Sequence, residues 1–123
     1  MIIAVDFGGT CVQHKYPKVG DTVPGAVPTL KELAAADHKL IIYTMRSGKE
    51  LDDAIEWYRE NNIPFHAVQQ EPLQHTWTHS PKCYADVYID DAALGCPLIY
   101  PNDGRPYVNW GTVREMLKTR RTL

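Results

Sequence analysis

Short runs of apolar residues alternate along the chain with stretches whose apolar positions recur about every three to four residues. The continuous runs are rich in β-branched residues and are typical of strands buried on both faces of a sheet. The strands predicted in this way cover residues 2–5, 40–43, 65–68 and 87–89.

The periodic stretches predict three helices. The first starts near Ala26 and tolerates Pro28 in its first turn. The second covers residues 49–61, and the third follows Asn109, whose side chain is a suitable N-cap. Strands that alternate with helices favour an α/β fold, a three-layer Rossmann-like parallel sheet with helices on both faces. We expect one such domain over residues 1–123.

Three segments lie between these elements. Residues 6–25 are rich in glycine and proline, which is typical of a loop. Residues 69–85 show no period and form a longer connection than most, and long connections are often functional. Residues 98–100 and 107–108 flank a Pro-Asn-Asp-Gly sequence that predicts a hairpin turn.

Composition narrows the classes of function. The chain is 44% hydrophobic and 23% charged with a formal net charge of −2, which favours neither a nucleic-acid partner nor an anionic membrane. No apolar run approaches the ~20 residues that a membrane span requires. The N-terminus has no signal-peptide pattern, so we expect a cytoplasmic protein. The three cysteines are widely spaced and predict neither a disulfide framework nor a zinc knuckle.

Polar residues follow three of the predicted strands directly. Asp6 follows the first, Thr44 the second, and Asp90 and Asp91 the fourth. Residues at the carboxyl ends of neighbouring parallel strands line the ligand crevice of an open sheet. Lys82 lies just before the fourth strand and could join them. The pattern predicts a site for a phosphate group and a hard cation.

Each residue type suits that chemistry. Carboxylates are preferred ligands of Mg²⁺, and one carboxylate can attack phosphorus as a nucleophile. Thr44 can donate a hydrogen bond to a phosphoryl oxygen, and Lys82 can neutralise its charge. Gly8 and Gly9 allow the backbone to approach an anion closely. Arg46 follows Thr44 in a predicted loop and suits bidentate phosphate recognition.

Residues 6–10, Asp-Phe-Gly-Gly-Thr, resemble the first motif of the haloacid dehalogenase (HAD) superfamily, usually Asp-x-Asp-x-Thr. The resemblance covers nearly the whole chain, because the later motifs follow in the family's order. They match at Thr44, Lys82 and Asp90-Asp91.

The short chain is similar to the capless members of this superfamily, which have the Rossmann-like core without a large cap domain. Among them it resembles small bacterial proteins of unassigned substrate. In those proteins a His and a Tyr-Pro pair follow the first motif, as His14 and Tyr16-Pro17 do here.

The resemblance implies a Mg²⁺-dependent phosphohydrolase that acts on a small phosphorylated metabolite through an aspartyl-phosphate. Asp6 would be the nucleophile, and Thr44 and Lys82 would hold the phosphoryl group. The implied metal ligands are Asp6, the backbone carbonyl of Gly8, Asp90 and Asp91.

Gly8 departs from the family pattern. Phosphatases of the superfamily usually carry a second Asp there, which protonates the leaving group and later activates water. Loss of such help typically costs about 10²–10⁴-fold in rate. Acyl phosphates, aryl phosphates and enolate leaving groups would suffer least, and His14 is a possible replacement acid. Gly8 is therefore compatible both with an enzyme for activated phosphates and with an inactive relative.

Two other functions stay open. One is a catalytically weak or inactive relative that binds phosphate and metal in a regulatory role. The other, a receiver-type phospho-acceptor domain, matches less well, because its acidic pair follows the first strand and its phosphorylated Asp the third. Here Gln69 and Gln70 follow the third strand. A homo-oligomer in which a second copy covers the open site is also compatible with the sequence.

Overall fold

The computed structural model describes residues 1–123 and shows an α/β chain built on a four-stranded parallel sheet. The predicted strands and helices are confirmed, with ends that shift by a few residues. No helix combines the length and the apolar character needed to cross a membrane. In chain order the elements are β1 (Ile2–Val5), α1 (Ala26–Ala35), β2 (Lys39–Ile42), α2 (Gly48–Glu60), β3 (Ala67–Val68), a 3₁₀ turn (Gln74–Thr76), β4 (Val87–Ile89), β5 (Leu98–Ile99), β6 (Tyr107–Val108) and α3 (Trp110–Thr119).

The strand order of the sheet is β3-β2-β1-β4. The chain builds outward from β1 to β3 and then returns to place β4 on the other side of β1. Val5 is in register with Ile42 of β2 and with Ile89 of β4, so these three strands end together. Ligands of open parallel sheets bind where the strand order reverses, which here is the crevice between β1 and β4.

The two faces of the sheet are covered differently. Ile3 and Val5 point into the main core, whereas Ala4 between them joins a separate small cluster. All three helices contribute to the main core, so the prediction of helices on both faces is wrong. The residues that α1, α2 and α3 place in the main core are Ala26, Leu30, Leu33, Ala54, Trp57, Tyr58, Trp110, Val113 and Leu117.

The handedness of the crossovers explains why α1 and α2 share a face. Two right-handed crossovers that run in the same direction place both helices on one side of the sheet. The connection from β3 to β4 runs back in the opposite direction, and it therefore crosses the other face. In this chain that connection, residues 69–86, carries no α-helix.

Residues 69–86 cover the second face of the sheet. Cys83 is fully buried in this segment and packs with Ala4 and Ile41. The buried side chain of Gln74 holds the segment together, because its amide bonds to three backbone groups of the same segment. These are the carbonyls of Ser80 and Lys82 and the N–H of Tyr84. The segment that the sequence suggests as a functional loop is thus a cover for the sheet.

The loop predicted over residues 6–25 is folded back on itself. Val12 pairs antiparallel with Thr22, and the N–H of Gln13 donates to the carbonyl of Asp21 at 2.8 Å. We call residues 6–25 the first loop. Its middle part, residues 14–16, lies at the carboxyl edge of the sheet.

The C-terminal elements close against the first loop. The predicted hairpin is confirmed as the antiparallel pair β5 and β6, and the N–H of Val108 in β6 donates to the carbonyl of Gly9 at 2.9 Å. Asn109 caps α3 as predicted, because its side chain accepts the N–H of Thr112 at 3.1 Å. Trp110, the first residue of α3, donates from Nε1 to the carbonyl of Thr10 at 2.7 Å.

Candidate active site

A cleft of about 520 Å³ lies at the carboxyl ends of β1, β2 and β4. The three predicted carboxylates, Asp6, Asp90 and Asp91, line it together with Thr44. Residues that are distant along the chain therefore meet at the switch point of the sheet, as the strand ends predict.

The three carboxylates form a cluster. One oxygen from each of Asp6, Asp90 and Asp91 lies within 4.8 Å of the other two. Asp6 follows β1 directly, and its N–H donates to the carbonyl of Ile89 at 2.9 Å, which places it beside the end of β4. A set of carboxylate oxygens at this spacing suits a hard divalent cation such as Mg²⁺.

The pKa of Asp6 also favours a cation at this cluster. Burial of the carboxyl group is the main cause that raises its pKa from 3.8 to about 8. A hydrogen bond with Asp91 and the negative charge of Asp90 raise this pKa further, while the hydrogen bond from Thr10 lowers it. The ionised cluster is therefore costly by itself, and a cation among the three carboxylates would offset that cost.

Thr10 joins two of the carboxylate residues. Its hydroxyl donates to Asp6 Oδ2 at 2.8 Å and accepts the N–H of Asp91 at 3.1 Å. The side chain is fully buried, so this bridge is shielded from water. Sequence reasoning included Thr10 in the first motif but assigned it no role; the structure shows that it connects the ends of β1 and β4.

His14 also reaches the cluster. Its Nε2 lies 2.8 Å from Asp91 Oδ2, and the two side chains are only 20% and 15% exposed. The pair packs directly over Gly9, where a Cβ would overlap both His14 Nε2 and Asp91 Oδ2. Gly9 also has a φ of 81°, a backbone conformation that favours glycine. Gly9 was predicted to bind substrate; the structure instead places it beneath the His14–Asp91 pair.

Gly8 lies on the cleft wall, and its surroundings differ from those of Gly9. The nearest atom to a Cβ built on Gly8 would be His14 Nδ1 at 3.7 Å, which is an ordinary contact. Packing alone therefore does not require glycine at this position.

Thr44 lines the cleft as predicted. Its hydroxyl oxygen accepts the N–H of Arg46 at 3.2 Å. The hydroxyl donates to no protein group, so its hydrogen is free to be donated to a ligand oxygen.

Arg46 borders the cleft, but its guanidinium group is already used within the protein. It donates to the carbonyls of Lys18 at 2.7 Å, Pro17 at 3.2 Å and Glu50 at 3.3 Å, and it lies 5.0 Å from the centre of the Phe7 ring. The side chain is 6% exposed. The prediction that Arg46 binds substrate is not supported, because these bonds tie the first loop to α2.

Lys82 does not line the cleft. Its ammonium group lies 5.3 Å from the centre of the Tyr88 ring, on the face of the sheet covered by residues 69–86. Tyr88 alternates with Val87 and Ile89 of β4, which point into the main core on the other face. The predicted role of Lys82 in holding the phosphoryl group therefore lacks the required proximity.

Two other cations line the cleft. Lys15 belongs to the first loop, and Arg105 follows the turn between β5 and β6. Sequence reasoning missed both. The position of Lys15 beside His14 was an available signal. No local pattern marks Arg105, which lies in a hairpin that bonds to Gly9 through the N–H of Val108.

No protein-family model matches the chain, and no curated protein is significantly similar to it. Among solved structures, the chain is similar to a conserved protein coded by a locus of Bacteroides thetaiotaomicron, with 41% sequence identity and a TM-score of 0.81. The match covers 98% of this chain and 91% of that protein.

Proposed function

We propose that this chain, which belongs to the same family as the conserved Bacteroides thetaiotaomicron protein, is a Mg²⁺-dependent, HAD-like phosphohydrolase. The observation that carries the proposal is the cluster of Asp6, Asp90 and Asp91 in one cleft beside Thr44. The order of the sequence motifs and the absence of a large inserted domain support the same assignment.

The carboxylates of Asp6, Asp90 and Asp91 would hold the Mg²⁺ ion, with the carbonyl of Gly8 as the further ligand that the family resemblance implies. The bound ion would supply the positive charge that allows an anionic phosphate to approach three carboxylates. Lys15 and Arg105 add positive charge at the same cleft, where the family pattern would place a lysine.

Asp6 is the proposed nucleophile. A carboxylate oxygen attacks phosphorus, the bond from phosphorus to the leaving group breaks, and the leaving group departs with the bonding electrons. Water then attacks the phosphorus of the aspartyl-phosphate, which releases phosphate and restores the Asp6 carboxylate. The bond from Thr10 to Asp6 Oδ2 fixes the orientation of this side chain. Thr44 donates to a phosphoryl oxygen.

The proposed substrates are small, activated phosphates. Gly8 carries no acid, so a leaving group that departs without a proton is favoured. Acyl and aryl phosphates meet this requirement. The cleft of about 520 Å³ is in the size range of small-metabolite sites.

The proposal is tested by Mg²⁺-dependent release of phosphate from acetyl phosphate and para-nitrophenyl phosphate. We expect Asp6→Asn to abolish the release, and a chelator to abolish it in the unchanged protein. Asp52→Asn is the matched control, because Asp52 is an exposed carboxylate on α2 outside the cleft. Phosphate release that persists in Asp6→Asn, or that is unaffected by the chelator, contradicts the proposal.

A second candidate is a regulatory protein that binds metal and phosphate without turnover. Gly8 and the position of Lys82 outside the cleft favour it. Binding of Mg²⁺ and phosphate without release from either substrate would select this function. A receiver-type domain is less favoured, because β3 is followed by Gln69 and not by an aspartate. Stable phosphorylation of Asp6 without hydrolysis would favour a phospho-acceptor.

A further inference from the structure

The side chain of Gln69 extends the pairing of β2 with β3 beyond the end of β3. Its own N–H donates to the carbonyl of Ile42 at 2.8 Å. Beyond that point the side chain of Gln69 takes the place of a neighbouring strand's backbone. Its Oε1 accepts the N–H of Thr44 at 2.9 Å, and its Nε2 donates to the carbonyl of Thr44 at 2.7 Å. One amide group thus satisfies both backbone polar groups of Thr44.

The backbone of Gln69 explains how the side chain comes to replace a strand. Its φ of 68° lies in the left-handed region, which residues other than glycine seldom adopt. This conformation directs the main chain away from β2 at the start of residues 69–86, while the side chain of Gln69 remains beside Thr44. A strained backbone held by specific contacts is a reason to look for a functional constraint.

The amide of Gln69 also reaches the far side of the turn that contains Thr44. Its Nε2 lies 3.3 Å from the carbonyl oxygen of Arg46. The N–H of Arg46 in turn donates to Thr44 Oγ1 and fixes the position of that oxygen, while the hydroxyl hydrogen has no protein acceptor. Gln69 therefore holds both ends of residues 44–46, the segment that presents the hydroxyl to the cleft.

From these contacts we propose that Gln69 is a positioning residue for phosphoryl binding, acting through the hydroxyl of Thr44. The inference rests on the proposed function, since it assumes that the cleft binds a phosphoryl group. Sequence reasoning noted Gln69 only as the residue that follows the third strand.

A double-mutant cycle tests the inference, with inorganic phosphate as the probe and Mg²⁺ present. Gln69→Asn shortens the amide by one methylene, and asparagine adopts positive φ readily, so the variant removes the contacts without adding strain. We expect about a tenfold loss of phosphate affinity in Gln69→Asn and in Thr44→Val. The double variant should bind no more weakly than Thr44→Val alone.

Two further variants keep the test decisive. Gln70→Asn is the matched control, because the side chain of the exposed Gln70 bonds only to the carbonyl of Pro81. The phosphate affinity of this variant should match that of the unchanged protein. Gln69→Gly removes the amide without adding a charge and suits the φ of 68°, so it replaces Gln69→Asn if that variant does not fold. It should show the same non-additive loss with Thr44→Val.

The outcomes separate this inference from the function on which it rests. Unchanged affinity in the folded Gln69 variant, or a loss that adds fully to that of Thr44→Val, overturns the role of Gln69 alone. Release of phosphate by the unchanged protein would then leave the proposed function standing. An unchanged protein that neither binds phosphate nor releases it from acetyl phosphate overturns both.

Discussion

At the scale of single residues, two adjacent glycines have opposite constraints. Gly9 lies under the His14–Asp91 pair with a positive φ, so any side chain there would displace the pair. Gly8 has ordinary contact distance to His14 and no such backbone requirement. The absence of a carboxylate at Gly8 is therefore a chemical feature of the cleft and is not demanded by packing.

We expect Gly8→Asp to raise the release of phosphate from alkyl phosphate esters, because it supplies the acid that a poor leaving group needs. Proton transfer of this kind typically contributes about 10²–10⁴-fold, and a gain toward the lower end is expected from an unrefined site. Release from acetyl phosphate should change little. Steady-state kinetics with both substrates measure this difference, and Gly9→Ala is the contrasting variant, which should lose activity with each.

The raised pKa of Asp6 makes stability depend on pH in the metal-free protein. The folded state keeps a proton that the unfolded chain releases between pH 3.8 and about 8, so the free energy of unfolding falls as pH rises through this window. Asp6→Asn cannot ionise and should be more stable than the unchanged protein at pH 8, on the order of a few kcal/mol. At pH 4 the difference should nearly vanish.

Chemical unfolding at the two pH values, with a chelator present, measures the Asp6 effect. Addition of Mg²⁺ at pH 8 should stabilise the unchanged protein more than Asp6→Asn. Equal stability of the two proteins at pH 8 without metal would contradict the prediction, as would a difference that grows toward pH 4.

Most of the site residues that sequence reasoning located correctly lie at the carboxyl ends of strands, while Gly8 and His14 reach the cleft from the first loop. Asp6, Thr44 and the Asp90-Asp91 pair could be placed because the ends of parallel strands have one geometry. Arg46 and Lys82 lie in irregular segments, where side-chain direction depends on tertiary contacts. The sequence around Arg46 does not reveal its bonds to the first loop. The sequence around Lys82 does not reveal that this residue lies on the face of the sheet covered by residues 69–86.

At the scale of elements, strands were predictable from their continuous apolar runs and helices from their periodic apolar positions. The arrangement of the helices around the sheet was less predictable. Alternation of strands and helices indicates a parallel sheet, but the number of helices on each face depends on strand order. Residues 69–86 contain no helical period, and this was the available sign that the second face lacks a helix.

Helix α3 contributes to the site through its first residue. Trp110→Phe removes the bond from Nε1 to the carbonyl of Thr10, the residue that bridges the carboxylates, and leaves that buried carbonyl without its partner. We expect a loss of about 1–3 kcal/mol in the free energy of unfolding, together with weaker Mg²⁺ binding. Denaturant titration and metal titration measure the two effects.

Trp77→Phe is the control for the Trp110 prediction, because Trp77 is 63% exposed in residues 69–86. It should change neither quantity appreciably. Similar losses in both tryptophan variants would mean that the bond to Thr10 has no special importance.

At the scale of the whole molecule, His38 connects segments from the two ends of the chain. Its Nδ1 lies 3.0 Å from the amino group of Met1, and its Nε2 lies 2.7 Å from the carbonyl of Thr122. We expect His38→Ala to lower the free energy of unfolding by roughly 1–2 kcal/mol without changing phosphate release. His66→Ala, at an exposed histidine, should be neutral in the same denaturant titration.

The cleft is a property of the whole molecule. Strand ends alone bring together its carboxylates, which sequence reasoning could anticipate. Lys15 lies in the first loop and Arg105 in the hairpin, and the bond from Val108 to Gly9 joins these two segments. Contacts between irregular segments have no periodic signature in the sequence. The positive charges that Lys15 and Arg105 bring to the cleft could therefore be recognised only in the structure.

The room beside Gly8 also determines how many mutations separate this chain from a relative with the usual aspartate. Glycine and aspartate codons can differ in a single base, and no neighbouring side chain fills the space that a Cβ would need. One point mutation could therefore place an aspartate here without a clash at its Cβ. On the proposed function, a lineage that carries this cleft would need only a single base change to move from activated phosphates to ordinary phosphate esters.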